Sequence, residues 1–357
     1  MSEKQFVSGN RAVAQAAFDA GCDCYFGYPI TPQTEIGEYL SEIMPAANRG
    51  YVCAESEIAS INMVMGAAAT GAKAMTSSSS CAIALMQEGL AYACGDELPL
   101  VVISVMRAGP GLGYIYPSQC DYDQAVTGGG NGDYKIPVLA PSTVQECVTL
   151  THKAFYLSQK YRTPVFLLSD GQLGQTYAPA EFVPYPYKDP DNSNFTLTGA
   201  KNRPARKIRS LETDFEKHNE NLKRIFAKYE VMKRDEVMYE EYKTEDAEIL
   251  LVAFGSLFGN IKATVDEGRE KGLKIGALRP ITLFPFPEKR LAELAQTVDT
   301  IVVAEMNMGQ MIKDVKVAVN GKAKVFHIGR PAGNWIDSDE ILPFVEKITG
   351  ETYATSI

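Results

Sequence analysis

Gly27-Tyr28-Pro29-Ile30-Thr31-Pro32-Gln33-Thr34-Glu35 joins a short apolar run, Cys24 to Tyr28, to a segment with helical patterning. The run stops at a proline, and the helical pattern starts at Thr31-Pro32. Thr31 reads as an N-cap and Pro32 as the first helical residue, where a missing N–H costs nothing. Such a turn sets a hydroxyl and the positive end of a helix at the carboxyl end of a strand, where open α/β sheets bind ligands. Most turns of this kind only cap a helix; the segments around this one point further.

On either side of the turn, strand and helix patterns alternate from Asn10 to about Asp170. Short apolar runs at 24–28, 51–54, 72–76, 98–106, 137–140 and 164–169 read as buried strands. Helices are expected at 11–20, 32–43, 57–70, 82–94 and 143–161, the last opened by Ser142 and Gln145 at capping-box spacing. Apolar strands alternating with helices predict a mostly parallel sheet covered on both faces. Past Tyr177 the pattern breaks into prolines and a charged stretch, Lys201 to Lys243, with one polar helix near 211–229. A second α/β unit begins at Glu248. The expected division is a first domain over 1–178, a crossover over 179–245 and a second domain over 246–357.

Bulk properties narrow the function. The chain has 357 residues, about two ordinary domains, with 45% hydrophobic and 22% charged residues. Its formal charge is −9, and its only dense basic stretch is Lys201 to Arg209, so nucleic acid is not an expected partner. No apolar run reaches membrane-spanning length, and Met1-Ser2-Glu3-Lys4-Gln5 does not open a signal peptide; no membrane role and a cytoplasmic location are expected. The seven cysteines fall mostly in apolar segments and read as buried reduced thiols. None forms a Cys-x-x-Cys, and with three scattered histidines no metal or cluster spacing occurs.

Three groups stand just past expected strands of one sheet: Thr31, Glu57 in Ala54-Glu-Ser-Glu57, and Arg107 in Arg107-Ala-Gly-Pro-Gly-Leu-Gly113. Singly, each has an ordinary role as cap, helix-dipole partner or surface cation. Together they offer a hydroxyl, a carboxylate and a cation to one crevice, a set suited to an α-keto acid beside a nitrogen heterocycle. The Thr76–Ser80 hydroxyl run reads as capping or anion binding at a helix start, with no histidine spaced for a catalytic triad. The glycine clusters at 109–113, 128–132 and 255–259 lack the features of a nucleotide fingerprint.

Tyr28-Pro-Ile-Thr-Pro32, Ser56-Glu57 leading into Gly66-Ala67, Thr76-Ser-Ser-Ser-Ser80, Leu85-Met86-x-Glu88 and Arg107-x-Gly-Pro110 resemble, in order, the α-type subunit of 2-oxoacid:ferredoxin oxidoreductases. The resemblance covers essentially the whole chain. It implies two parallel-sheet three-layer α/β domains: a thiamin diphosphate pyrimidine-binding-like domain, then a transketolase carboxyl-terminal-like domain. Pro117-Ser-Gln119-x-Asp-Tyr122-x-Gln-Ala125 and Gly128-Gly-Gly-Asn-Gly-Asp-Tyr134 look like the branched-chain, 2-oxoisovalerate subgroup. The 2-oxoglutarate relatives tend to carry a Thr-Glu-Gln-Gly-Asp-Leu-like stretch where this chain has Gln119–Tyr122.

By that resemblance, Glu57 hydrogen-bonds N1′ of the aminopyrimidine and Tyr28 shapes its pocket. Arg107 pairs with the substrate carboxylate, and Thr31 contacts substrate near the reacting carbon. The implied reaction is coenzyme A-dependent oxidative decarboxylation of a branched-chain 2-oxo acid to acyl-CoA and CO2, with electrons to ferredoxin. The family's Gly-Asp-Gly…Asn motif for Mg2+ and diphosphate is missing, since Asn131-Gly132-Asp133 does not match it. The expected partners are therefore a β subunit holding the diphosphate and Mg2+, a ferredoxin-like δ subunit with [4Fe-4S] clusters, a γ subunit and external ferredoxin. A 2-oxoglutarate enzyme, a non-redox thiamin diphosphate decarboxylase or transferase, and a non-catalytic α/β subunit are the alternatives.

Overall fold

The computed structural model of the chain describes residues 4–354. In chain order the first half runs β1 (Gln5–Ser8), α1 (Gly9–Asp19), β2 (Cys24–Gly27), α2 (Thr34–Ala46), β3 (Gly50–Cys53), α3 (Glu57–Thr70), β4 (Ala74–Ser78) and α4 (Ser80–Gly95). It continues with β5 (Leu100–Ala108), β6 (Tyr114–Pro117), α5 (Tyr122–Val126), β7 (Val138–Leu139), α6 (Val144–Tyr161), β8 (Pro164–Asp170), α7 (Gly171–Gln175) and β9 (Tyr177–Ala180). The main sheet has the order β13-β7-β8-β5-β4-β2-β3 and is parallel from β7 to β3. Helices α1, α2 and α6 pack together on it, as do α3 and α4. Parallel strands are buried on both faces, and β4, β5 and β8 are buried throughout, their polar residues falling toward the carboxyl ends.

After α8 (Phe215–Asp235) the second half runs β10 (Tyr239–Tyr242), β11 (Ile249–Val252), a 3-10 turn at Gly255–Leu257, α9 (Phe258–Glu270), β12 (Ile275–Pro280) and β13 (Thr282–Phe284). It closes with α10 (Glu288–Leu294), β14 (Thr300–Glu305), α11 (Ile312–Val319), β15 (Lys324–Gly329) and α12 (Ser338–Ala354). Its sheet has the order β10-β12-β11-β14-β15, parallel except at β10. Phe258, Ile261, Ile341 and Val345 cover one face. Leu291, Val315 and Val319 cover the other and merge with the core of the first sheet.

Two strands cross the divisions drawn from sequence. β10 lies within the expected crossover yet pairs with β12, while β13 of the second half adds an antiparallel edge to the first sheet beside β7. The halves are also locked by Arg279, 1% exposed, whose guanidinium meets Glu146 at 2.6 Å and Glu240 at 2.7 Å. A buried guanidinium needs such partners, because its desolvation is otherwise uncompensated.

Three local expectations are corrected. α2 starts at Thr34, since Gln33 N–H donates to the Ile30 carbonyl at 3.0 Å and closes a turn first; the N-cap is Gln33, not Thr31. The capping box of α6 lies one residue later than Ser142/Gln145: Thr143 accepts from Glu146 N, and Glu146 accepts from Ser142 N. Of the cysteines, only Cys22, Cys94 and Cys147 are fully buried, and Cys53 is exposed.

Candidate active site

Arg107 lies near the end of β5, the central strand, and folds back across the carboxyl edge of the sheet. Its side chain is only 6% exposed. Nη1 donates to the Thr31 carbonyl at 2.8 Å, and Nη2 donates to the Leu112 carbonyl at 2.8 Å and to Cys81 Sγ at 3.3 Å. Nε is buried without a partner. A guanidinium carries five N–H donors. Among the described residues Arg107 forms no direct ion pair, so a buried cation keeps donors free, with only the nearby Asp121 carboxyl feeling its charge. That state favours an incoming anion.

The backbone of Arg107 is held as firmly as its head group. Its N–H donates to Ser80 Oγ at 2.9 Å, and Ser80 Oγ lies 2.5 Å from Asp121 Oδ2. A hydroxyl has one proton to give, and the carboxylate is the stronger acceptor. The Arg107 carbonyl is then served by the Cys120 thiol at 3.1 Å. Burial pushes the Cys120 pKa up to about 11, which keeps that thiol protonated. Burial likewise raises the carboxyl of Asp121, against the hydrogen bond from Ser80 that lowers it. Ser80 opens α4 at φ +34°, a backbone conformation costly for a residue with a Cβ.

Thr31 meets Arg107 through its carbonyl, which leaves its exposed hydroxyl free. Asn10 Nδ2 fixes the same turn by donating to the Pro32 carbonyl at 2.7 Å. Beneath it, Gln33 Oε1 accepts from Ser77 Oγ at 2.5 Å while Gln33 Nε2 donates to the Tyr28 carbonyl at 3.2 Å. Ser77 also bonds the buried Tyr25 hydroxyl at 2.8 Å. The Tyr28 ring is exposed at the edge of the site.

Glu57 is the first residue of α3, immediately after Ser56, whose hydroxyl caps the helix by accepting from Ala59 N–H. The carboxyl side chain is 7% exposed, yet it makes no hydrogen bond or ion pair among the described residues. It lies past β3, next to β2, so it shares the carboxyl edge of the sheet with Thr31. The structure thus joins Thr31 to Arg107 directly and leaves Glu57 and Tyr28 separate from both. Sequence reasoning misses Gln33, Ser80 and Asp121 as contributors. Ser80 shows only as part of a hydroxyl run and Asp121 only inside a subgroup-like stretch.

Two family descriptions match the chain. "Pyruvate flavodoxin/ferredoxin oxidoreductase, thiamine diP-bdg" covers residues 15–239, and "Pyruvate:ferredoxin oxidoreductase core domain II" covers residues 247–341. The chain belongs to the 2-oxoacid:ferredoxin oxidoreductase family. Within it, the chain is 46% identical to the ketoisovalerate oxidoreductase subunit VorB of Methanothermobacter marburgensis, over 98% of this chain and 99% of that one. It is 34% identical to the 2-oxoglutarate synthase subunit KorA of the same organism, over 96% and 98%. In three dimensions it resembles the 2-oxoglutarate:ferredoxin oxidoreductase of Magnetococcus marinus, with a TM-score of 0.86 and 27% identity over 97% of this chain. The chain spans 65% of that enzyme's matched chain. The two parallel-sheet α/β domains are those of the family, whose members are oxidoreductases that use thiamin diphosphate. No described helix is long and apolar enough to cross a membrane.

Proposed function

We propose that this chain is the pyrimidine-side subunit of a 2-oxoisovalerate:ferredoxin oxidoreductase, which converts a branched-chain 2-oxo acid, with coenzyme A, to acyl-CoA and CO2. The observation that carries the reading is the pairing of a buried, partnerless Glu57 with a buried, anion-ready Arg107 on one sheet edge. Glu57 fits a ring nitrogen: a largely buried carboxylate with no donor of its own is free to accept from an N–H brought to it. Thiamin diphosphate supplies the electron sink for loss of CO2 from a 2-oxo acid. Glu57 would hold the aminopyrimidine by N1′, with Tyr28 beside it. Arg107 would bind the substrate carboxylate through its unpartnered Nε–H. The Thr31 hydroxyl would donate a hydrogen bond near the keto carbon, while its carbonyl keeps the guanidinium in place.

An apolar substrate is favoured by what surrounds the arginine. Residues 28–35, 54–57, 79–81 and 108–120 contain no second Lys or Arg to bind a distal carboxylate. Leu112, Tyr114, Ile115 and Tyr116 stand exposed in the hairpin above Arg107. The higher identity to a ketoisovalerate subunit than to a 2-oxoglutarate subunit points the same way.

The sequence contains no Cys-x-x-Cys. A β subunit would carry the diphosphate and Mg2+, and a ferredoxin-like δ subunit the [4Fe-4S] clusters, with a γ subunit and external ferredoxin completing the system. Anaerobic, coenzyme A-dependent viologen reduction by the assembled complex tests the reading. It should prefer 2-oxoisovalerate over pyruvate and 2-oxoglutarate, and the chain alone should be inactive. Preference for 2-oxoglutarate would overturn the substrate, and turnover by the lone chain would overturn the shared site.

A further inference from the structure

The segment after the hairpin is tied almost wholly to the second domain. Ser118 Oγ donates to the Pro331 carbonyl at 2.7 Å, and Gln119 N–H donates to the Met306 carbonyl at 2.8 Å. Gln119 Nε2 donates to the Phe254 carbonyl at 2.9 Å, and its Oε1 accepts from Met306 N–H at 3.2 Å. Asn307 Nδ2 reaches the Gln119 carbonyl at 2.9 Å, and Gln310 Nε2 reaches that of Cys120 at 2.6 Å. Tyr122 closes the run with a 2.6 Å bond to Asp314. Asp121 and Cys120 turn their side chains toward the first domain, where Asp121 meets Ser80 and the Cys120 thiol reaches the Arg107 carbonyl.

We infer that Ser80 and Asp121 are positioning residues for Arg107, and that the Ser118–Tyr122 strut sets their placement from the second domain. The inference rests on the reading of Arg107 as the group that binds the substrate carboxylate. Ser80 Oγ receives the Arg107 N–H, so it fixes where the arginine leaves the strand. Asp121 orients that hydroxyl by accepting its hydrogen bond. Gln119 is fully buried and spends both its side-chain groups and its backbone on the other domain. A buried amide so completely satisfied resists displacement, since each lost bond strands a desolvated partner. Ser80 keeps a backbone angle that glycine would adopt more readily. Its hydroxyl is what the site gains from having serine there.

The test uses the assembled complex with Ser80→Gly, Asp121→Ala, Asp121→Asn, Gln119→Ala and Arg107→Lys. Ser80→Gly suits the positive φ and removes the hydroxymethyl side chain. Readouts are KM for the 2-oxo acid, Ki for isovalerate as an unreactive carboxylate, kcat, and KM for coenzyme A. In Ser80→Gly and Asp121→Ala, KM and Ki should rise together by about tenfold, with kcat within about threefold of wild type and KM for coenzyme A unchanged. Asp121→Asn keeps an acceptor for Ser80 and should restore both constants. Gln119→Ala, which removes two of the strut's bonds to the second domain and leaves the Ser80–Asp121 contact in place, should give a smaller rise of the same kind. If Arg107→Lys raises KM and Ki but Ser80→Gly and Asp121→Ala leave them at wild-type values, or lower kcat alone, the positioning role is overturned. Wild-type KM in Gln119→Ala overturns the strut. Wild-type KM and Ki in Arg107→Lys would instead refute the carboxylate-binding role on which the inference stands.

Discussion

Thr31 shows how one residue can serve two atoms' worth of chemistry. Its carbonyl holds the Arg107 guanidinium at 2.8 Å, and its hydroxyl is left to the site. The two roles separate cleanly by mutation. Thr31→Val keeps the backbone carbonyl and the branched shape, so the melting temperature of the chain should stay within about 2 °C of wild type. Loss of the hydroxyl should lower kcat of the assembled complex by about a hundredfold. Unchanged kcat would confine Thr31 to its structural bond. Thr31, Glu57 and Arg107 are legible in the sequence because each follows a short apolar run, and residues after parallel strands share one edge of the sheet. The cap assigned to Thr31 is not legible correctly, because the turn closed by Ile30 and Gln33 depends on Asn10 and Ser77 from elsewhere in the chain.

At the scale of elements, the alternating strands and helices are readable because buried parallel strands are continuously apolar and α3 carries its own cap. The missed elements are short. β10 reads Tyr-Glu-Glu-Tyr, and β13 has three residues, so each owes its existence to a partner strand rather than to local pattern. The β5–β6 hairpin is another such element, and its tip carries Leu112 at 81% exposure beside exposed Ile115. Replacing both with Asp should leave the melting of the chain alone unchanged and, with the β subunit proposed above seated on this hairpin, abolish their co-purification; retained co-purification would place that contact elsewhere. Packing between α1 and α6 has a pH signature. His152 is buried there with no well-formed hydrogen bond at either ring nitrogen, beside the Ala16 backbone, near Asp19 and Lys73, and edge-on to Tyr185. Burial, which outweighs the attraction of Asp19, lowers its pKa below the ordinary 6.5. The folded chain therefore resists the proton that the unfolded chain accepts, so stability is full above about 6.5 and falls as pH drops through that value toward the folded pKa. Denaturation midpoints at pH 7.5 and 5.5 should show this loss, and His152→Leu should shrink it. An equal loss in the variant would assign the effect to other groups.

At the scale of the molecule, the two domains are less separate than their sequence patterns suggest. They share a continuous core, exchange β13, and meet at Arg279 and at the strut that ends on Asp121. None of these ties could be read from the chain, because each joins residues far apart in sequence: Ser80 and Asp121 are 41 positions apart, and Gln119 and Asn307 are 188. What the sequence does carry is one carboxylate and one arginine without a Gly-Asp-Gly…Asn motif for Mg2+ and diphosphate, the ground for proposing a site shared with another subunit. Central to the proposed function is Glu57, the group that would hold the aminopyrimidine in a site finished by another subunit. Its most direct test is turnover of the assembled complex carrying Glu57→Ala, with assembly checked by size. Normal assembly and a loss of kcat of about three orders of magnitude are expected. An assembled Glu57→Ala complex that turns over at the wild-type rate would contradict it.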